Sequence, residues 1–136
     1  MRLNPYLLFN GNCETAFKFY EQLLHGKIEA MMTYAGAPAE RGVPAEWRDK
    51  IMHARLVMGE AVLMGSDAPP KRFEKAGGFS VSLNVDDPAD GARIFDGLST
   101  DGEVRMPFQQ TFWAFRFGML VDRFGIPWMI NCEKSA

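Results

Sequence analysis

The chain repeats a pattern of apolar residues at an offset of about 75 positions. The matched pairs are Leu8 with Leu83, Phe19 with Ile94, Tyr20 with Phe95 and Leu23 with Leu98. Each half then has the order strand, helix, strand, strand, strand, because one run with helical spacing stands among runs typical of strands. A four-stranded sheet with a single helix leaves one face uncovered, so two such halves are expected to close these faces around a cavity.

The repeat predicts an α+β fold of two tandem βαβββ modules whose eight strands form a partly open, barrel-like sheet. Module one is predicted to cover residues 1–67 and module two residues 79–136. The intervening residues 68–78, APPKRFEKAGG, contain a Pro-Pro and a Gly-Gly pair, which is typical of a linker. At 136 residues, the whole chain is expected to be a single domain.

The strongest local signal is a hairpin between Thr111 and Cys132. Aromatic and β-branched residues fill two runs, and the polar sequence DRFG at residues 122–125 separates them. The first run is expected to begin before Trp113, so that Trp113 and Phe115 lie within a strand. This hairpin would end the second module.

A second hairpin is predicted around the turn Gly59-Glu60, between strands at residues 51–58 and 61–64. A two-residue loop fixes the register and pairs Met58 with Ala61. Arg55 then lies opposite Met64, and His53 lies opposite Ser66. Because side chains alternate along a strand, these last four residues are expected to share one face.

The segments before this hairpin are a helix, a strand and a long connection. Asn12 is predicted as the N-cap of the helix, and Gly26 is predicted to close its C-terminal end. The strand is expected at residues 27–33. Residues 35–47, AGAPAERGVPAEW, exceed a simple connection and contain two prolines and two glycines, so they are a candidate lid.

Composition excludes several classes of function. The formal net charge is -2 without a basic stripe, so nucleic acid is not expected as a partner. Neither a membrane span of ~20 apolar residues nor a signal-peptide pattern is found, so we expect a cytoplasmic protein with no membrane partner. Cys13 and Cys132 are expected to be free thiols in a reducing compartment, and two histidines are too few for a multi-histidine metal site.

Three stretches carry a resemblance to a known family: YLLFNGNCETAFKFY at Tyr6–Tyr20, HARLVMGEAVLMGSD at His53–Asp67, and FWAFRFGMLVDRFGIPWMIN at Phe112–Asn131. With the doubled βαβββ order, the chain resembles the PhnB-like proteins of the vicinal oxygen chelate superfamily, which includes glyoxalase I, extradiol dioxygenases and bleomycin-resistance proteins. The resemblance implies the glyoxalase/bleomycin-resistance fold. It also implies a homodimer, since the superfamily commonly builds its cavities from modules of two chains.

The resemblance also predicts that the usual metal is missing. Metal-dependent members take ligands from the first and last strands of each module, and these places correspond here to Pro5, Met64, Ser80 and Met129. None of the four suits a hard divalent ion, because proline has no side-chain donor and thioethers prefer soft ions. We therefore expect no metal ligands and no cofactor. PhnB-like chains are sometimes labelled methyltransferases, but NGNCET is not a glycine-rich cofactor loop.

His53 and Arg55 are the candidate catalytic residues. A histidine suits general acid/base work, but a structural histidine hydrogen-bonded within the barrel fits the same position. A guanidinium turned into a cavity needs an anionic ligand, or else a carboxylate such as Asp67 or Glu60.

The candidate ligand-binding residues line the same predicted cavity: Phe9, Ser66, Ser80, Ser82, Asn84, Trp113, Phe115 and Met129. Ser80, Ser82 and Asn84 either hydrogen-bond a ligand or form the polar side of a water-filled cavity. The aromatic residues Trp113, Phe115, Phe117 and Trp128 either stack on a flat ligand or pack in the core and a dimer interface.

Two functional interpretations follow. The first is a dimeric binding protein that holds a small organic molecule without metal, because an aromatic-rich and methionine-rich cavity lacks the four ligands. The second is a metal-independent or atypical isomerase or lyase, in which His53 transfers protons and Arg55 holds a substrate anion.

Overall fold

The computed structural model describes residues 1–36 and 45–133. The elements along these residues are β1 (Tyr6–Phe9), α1 (Cys13–Leu23), β2 (Lys27–Thr33), β3 (Ile51–Met58), β4 (Ala61–Asp67), β5 (Val81–Asn84), α2 (Pro88–Ser99), β6 (Glu103–Gln109), β7 (Arg116–Val121) and β8 (Pro127–Cys132). Short 3₁₀ turns cover Tyr34–Gly36 and Ala45–Trp47, while residues 37–44 of the candidate lid lie outside the described residues. Within the described part of the chain, neither helix is long and apolar enough to cross a membrane.

The chain divides into two compact units, Met1–Glu74 and Lys75–Ala136, with one βαβββ module in each. The strand order is β1-β4-β3-β2 in the first unit and β5-β8-β7-β6 in the second. In each sheet the first strand pairs in parallel with the last strand, and the other pairs are antiparallel. The two predicted βαβββ modules are confirmed, and hydrogen bonding divides their eight strands into two mixed sheets of four.

The predicted repeat offset holds at the level of backbone structure. Adding 75 to the bounds of β1, residues 6 and 9, gives 81 and 84, which are the bounds of β5. Adding 75 to the bounds of α1, residues 13 and 23, gives 88 and 98, and α2 covers residues 88–99. The two units therefore place equivalent elements at equivalent positions.

In each unit the helix covers one face of its sheet, and an aromatic ring lies against a glycine of that sheet. A Cβ atom on Gly65 would lie 2.8 Å from Cε1 of Phe17, and one on Gly118 would lie 2.5 Å from Cε2 of Phe95. Both rings are buried. The absence of a side chain at Gly65 and Gly118 therefore permits the close approach of helix and sheet.

The predicted ends of α1 are confirmed in position but not in the contacts that make them. Asn12 occupies the N-cap position, but its side chain makes no capping hydrogen bond. At the other end, His25 takes the left-handed conformation with φ of 54°, and the Gly26 amide donates to the Glu21 carbonyl at 3.0 Å. Gly26 is needed for a different reason, because a Cβ there would lie 2.6 Å from Cγ of Met58.

The carboxylate of Asp67, at the end of β4, replaces the expected Asn12 cap. Its Oδ1 accepts from the amides of Gly11 and Cys13, both at 2.9 Å, and its Oδ2 accepts from the Ile51 amide at 2.9 Å. Asp67 is only 1% exposed. One buried side chain thus joins the start of α1 to the start of β3 and satisfies three backbone donors.

Both cysteines are free, as predicted, and both are buried. Burial raises the pKa of the Cys13 thiol, and the nearby charges of Asp67 and Glu14 raise it further. Cys132 lies in the second unit, where its thiol contacts the Asp86 carbonyl with an Sγ to O distance of 3.6 Å.

The turn of the β7–β8 hairpin is organised by Asp122, which is 3% exposed. Its Oδ1 accepts from the amides of Phe124 at 2.8 Å and Ile126 at 3.0 Å. Its Oδ2 accepts from the indole Nε1 of Trp128 at 2.9 Å, and Trp128 is 1% exposed. Of the two alternatives for Trp128, the structure supports core packing.

The hairpin is confirmed, but its first strand begins later than predicted, at Arg116. Before it, the Ala114 amide donates to the Thr111 hydroxyl at 3.1 Å, and the Thr111 amide donates to the Ala114 carbonyl at 3.1 Å. These local bonds hold a turn that interrupts the strand. Trp113 and Phe115 therefore lie outside the strand.

Replacing Asp67 by Ala is expected to lower the free energy of unfolding by roughly 3 kcal/mol or more, because three backbone donors lose their acceptor and at least two of them are buried. Urea denaturation measures this change. Glu60→Ala, at an exposed turn residue, is the control and should stay within about 0.5 kcal/mol of the parent. A loss below about 1 kcal/mol for Asp67→Ala would contradict the role assigned to this carboxylate.

Candidate functional site

The face of the first sheet that α1 leaves uncovered carries most of the predicted site residues of this unit. The predicted register is confirmed, with Met58 opposite Ala61 and Arg55 opposite Met64. The buried residues Ala54 and Leu56 alternate with Arg55 along β3, so Arg55 points to the uncovered face. The ladder extends to the pair Ala54–Gly65, and His53 and Ser66 follow at the next position of the same face.

His53 is hydrogen-bonded to Tyr6, a residue that the sequence analysis did not single out. The Tyr6 hydroxyl lies 3.0 Å from His53 Nδ1, and the two rings stack with centroids 5.7 Å apart. Tyr6 reaches this position because β1 pairs in parallel with β4, which places Tyr6 beside Met64. Only the strand order could have pointed to Tyr6, since it is distant from His53 in sequence.

Arg55 pairs with Glu29, and the suggested partners Asp67 and Glu60 are wrong. The Arg55 Nε donates to Glu29 Oε1 at 3.2 Å, and the side chains are 34% and 49% exposed. The register of β2 shifts between Ile28 and Ala30, and this irregularity contains Glu29. Asp67 is unsuitable because its carboxylate already accepts three backbone amides.

The structure does not bring Phe9 together with His53 and Arg55. Phe9 is 1% exposed and makes an edge-to-face contact with Phe17 of α1, with ring centroids 6.0 Å apart. It therefore lies on the opposite, helix-covered face of the sheet. Ser66 is on the face of His53 but is only 7% exposed.

The uncovered face of the second sheet holds the remaining strand residues of the predicted site. Parallel pairing places Ser82 beside Met129 and Asn84 beside Asn131. Antiparallel pairing adds Phe117 beside Asn131. Ser80 precedes β5, which begins at Val81. This face therefore carries two rows of side chains. Asn84 and Asn131 form a polar row, and Ser82 and Met129 form a row that contains sulfur.

The polar row borders a cavity of about 230 Å³ lined by Asn84, Val85, Asp86, Asn131 and Glu133. Asn131 Nδ2 donates to Asn84 Oδ1 at 3.0 Å. Asn131 Oδ1 is buried, and no residue in the described part of the chain donates a hydrogen bond to it. Asn84 was predicted as a site residue, whereas Asn131 and Glu133 were missed, although both follow Met129 at alternate positions.

Several aromatic side chains lie beside the uncovered face of the second sheet. Trp113 is 51% exposed, and its ring makes edge-to-face contacts with Phe112 and Phe117, at centroid distances of 4.8 and 5.4 Å. A shallow depression of about 320 Å³ is lined by residues 110–115 and Glu133. Trp113 and Phe115 therefore share one concave surface, and Glu133 belongs to both this depression and the polar cavity.

The four positions that the resemblance assigns to metal ligands carry side chains unsuited to a hard divalent ion. Met64 and Met129 offer thioethers, Ser80 offers one hydroxyl, and Pro5 has no side-chain donor. Among residues 1–36 and 45–133, no group of three or more His, Cys, Asp or Glu side chains is arranged to hold a metal ion.

Comparison with known proteins identifies the family. Residues 1–131 match the family described as 3-demethylubiquinone-9 3-methyltransferase. The chain belongs to this family. Protein YjdN of Escherichia coli K12 is 35% identical over 143 residues, covering 99% of this chain and 97% of YjdN. The predicted resemblance to PhnB-like proteins is thereby confirmed.

Solved structures agree with this family and with the fold of its superfamily. Protein PA1353 from Pseudomonas aeruginosa is 51% identical, with a TM-score of 0.90 and 98% of each chain covered. A putative 3-demethylubiquinone-9 3-methyltransferase, the PhnB protein from Bacillus cereus, is 21% identical, with a TM-score of 0.81 and coverage of 97% and 99%. The fosfomycin resistance protein FosX from Mesorhizobium loti shares the fold at 9% identity, with a TM-score of 0.63 and coverage of 99% and 93%.

The turn before α1 of this PhnB-like chain does not have the geometry of the glycine loop that binds the cofactor in doubly wound methyltransferases. A nucleotide-binding glycine loop presents its backbone amides to a ligand. Here the amides of Gly11 and Cys13 donate to Asp67 instead. Both sheets are mixed and neither has the doubly wound parallel order.

Proposed function

We propose that this PhnB-like protein binds a small organic molecule at the uncovered face of its second sheet. The observation that carries the proposal is Trp113, which keeps 51% of its surface exposed beside a concave, partly polar surface. A flat group of the ligand would lie against the Trp113 ring, and its polar groups would contact Asn84, Ser82 and neighbouring residues.

Two contacts support Trp113 as a binding residue. Its ring contacts Phe117, a residue of β7 that connects it to the sheet, and also Phe112, which is itself 97% exposed. An aromatic side chain that is held in position loses little conformational entropy when a ligand arrives. Aromatic contacts of suitable geometry add about 0.5–1.5 kcal/mol beyond the burial of surface.

The residues beneath the proposed ligand are suited to molecules of varied shape. Met119 and Met129 are neighbours on the uncovered face, and both are partly exposed. Unbranched thioether side chains adjust to irregular surfaces more readily than branched ones. Ser82 stands beside Met129 and supplies a hydroxyl that can donate or accept a hydrogen bond.

Thermal-shift screening of small metabolites tests this proposal. A ligand at ~100 times its Kd stabilises the native protein by about 2.7 kcal/mol, and Trp113→Ala is expected to remove most of the shift in Tm. Phe79→Ala is the matched control, because Phe79 is a similarly exposed aromatic residue, at 52%, that lines neither described cavity. A hit whose shift is equal in both variants would place the binding site elsewhere.

We also propose that the protein forms a homodimer and works in the cytoplasm. Tyr6, Leu8 and Met32 expose 44–46% of their surfaces, and Tyr6 and Leu8 alternate with the buried Leu7 and Phe9 along β1. Apolar surface of this kind is favourable to bury between subunits. The two buried free thiols are compatible with a reducing compartment.

Sedimentation equilibrium of two charged variants tests the dimer. Leu8→Asp is expected to weaken dimerisation by at least tenfold, because an unpaired carboxylate would enter the interface. Val104→Asp is the control, since Val104 on β6 has a similar exposure of 48%, compared with 44% for Leu8. A parent protein that is monomeric at micromolar concentration, or equal weakening by both changes, would refute an interface on this face.

A second candidate function is a metal-independent isomerase or lyase, and the Tyr6–His53 hydrogen bond favours it. The bond fixes one ring nitrogen at 3.0 Å from the Tyr6 hydroxyl, which orients His53 for proton transfer through the other nitrogen. Arg55 on the same face would hold a substrate anion, although Glu29 already offsets its charge.

Deuterium incorporation at carbon in D2O, followed by NMR on carbonyl compounds that bind, tests this second function. His53→Asn is expected to lower the exchange rate by about a hundredfold, the usual contribution of a general base. His25→Asn is the control, because His25 is exposed and asparagine tolerates its positive φ of 54°. Equal exchange in the two variants would exclude His53 as the base.

A further inference from the structure

All the methionines of the second unit lie in one row across its sheet. Residues 75–136 contain three of them, Met106, Met119 and Met129. Strand pairing places Met106 opposite Met119, and Met119 opposite Met129, so this methionine row crosses β6, β7 and β8. Directly paired residues project from the same face of a sheet, with Cβ atoms about 4.5–5.5 Å apart. The three side chains therefore start from neighbouring positions on one surface.

The methionine row lies on the face of the sheet that α2 leaves uncovered. On β7 the buried Leu120 follows Met119. On β8 the buried residues Trp128 and Ile130 flank Met129. Side chains alternate along a strand, so the methionines point away from these core residues. All three methionines are partly exposed, and a dissolved ion therefore has access to the row.

This arrangement is specific to the second sheet. The first unit contains the other six of the nine methionines. None of the strand pairs that the structure describes in that unit joins two methionines. In the second unit, the described residues of the buried core include leucine, isoleucine, phenylalanine and tryptophan but no methionine. Its thioethers are thus confined to the accessible face, where they adjoin one another.

Three adjoining thioethers are a suitable donor set for a soft monovalent metal ion. Thioether sulfur favours Cu(I), whereas Mg²⁺ and other hard ions prefer oxygen ligands. The prediction of no metal ligands was made for hard divalent ions, and of its four positions only Met129 belongs to the methionine row. Methionine is unbranched and has three rotatable bonds, so the outer sulfurs of Met106 and Met129 can lean toward Met119.

We propose that Met106, Met119 and Met129 form a binding site for a soft monovalent metal ion, Cu(I) in the cell. This inference goes beyond the proposed function, because an ion on the methionine row needs no contact with Trp113. Each sulfur donates a lone pair to the ion and stays neutral. A thioether has no proton to lose, so the affinity of this site does not depend on pH, whereas thiol and imidazole ligands compete with protons.

Silver ion, a redox-stable monovalent ion that also prefers sulfur, is the probe. The full chain is labelled with ¹³C at its methionine methyl groups and titrated with silver nitrate in chloride-free buffer, followed by NMR. The methyl signals of Met106, Met119 and Met129 are expected to shift together and to saturate at about one equivalent of Ag(I). The methyl signals of the first unit should stay in place, and Mg²⁺ should shift none of them.

Met119→Leu removes the central sulfur with little change in side-chain volume, so the variant is expected to fold. Its affinity for Ag(I) should fall by about tenfold or more, because the ion loses one of three ligands. Met52→Leu is the matched control, since Met52 is a partly exposed methionine on β3 of the first unit, and it should leave the affinity unchanged. Circular dichroism checks that both variants are folded.

Three results would overturn the inference. The first is that no methyl signal shifts at micromolar Ag(I), and the second is that methionines of both units shift alike. The third is an affinity that is equal in Met119→Leu and the parent, or that falls as the pH is lowered, since either assigns the ion to the thiols of Cys13 and Cys132 or to a histidine. Screening with Trp113→Ala judges the proposed function separately, because that side chain is not a ligand of the ion.

Discussion

Each unit depends on one buried carboxylate that satisfies backbone amides. Asp67 accepts from three amides and connects the start of α1 to the start of β3. Asp122 accepts from two amides and the Trp128 indole, and so fixes the turn of the last hairpin. A buried carboxylate is tolerated only when its oxygens are well supplied with donors. Here both oxygens of each carboxylate have them.

The polar and aromatic groups of the two uncovered faces differ in how far they are already paired. On the first sheet the groups are paired, His53 with Tyr6 and Arg55 with Glu29. On the second sheet the described residues leave Asn131 Oδ1 without a donor, and Trp113 remains half exposed. An exposed aromatic ring gains contact area from a ligand, whereas side chains that already pair with each other must give up those contacts to bind one. Binding is therefore better supported on the second sheet than on the first.

The sequence predicted the modules, the β3–β4 register and the two free thiols, because these follow from periodicity, a two-residue turn and residue counting. It placed Asn12 at the N-cap but could not reveal that Asp67, 55 positions later, makes the capping bonds. The irregularity at Glu29 and the turn at Thr111 also escaped prediction. Bulges and side-chain turns change direction within a run whose composition still looks like a strand.

The candidate site, too, could be predicted only in part from the sequence. Residues on one strand, such as His53 and Arg55, could be placed on a common face from alternation alone. Tyr6 and Asn131 required the parallel pairing of the first and last strands, a contact between segments that are distant in sequence. Phe9 was misplaced relative to its face for the same reason, since β1 turns Phe9 toward α1 and Tyr6 away from it.

Because each unit contains one buried cysteine, thiol labelling can measure how cooperatively the two units unfold. Cys13 belongs to the first unit and Cys132 to the second, and each side chain is fully buried. A thiol reagent modifies such a side chain only after the surrounding structure opens. The two labelling rates therefore report the opening of each half separately, and their ratio tells whether the two repeated units unfold independently or together.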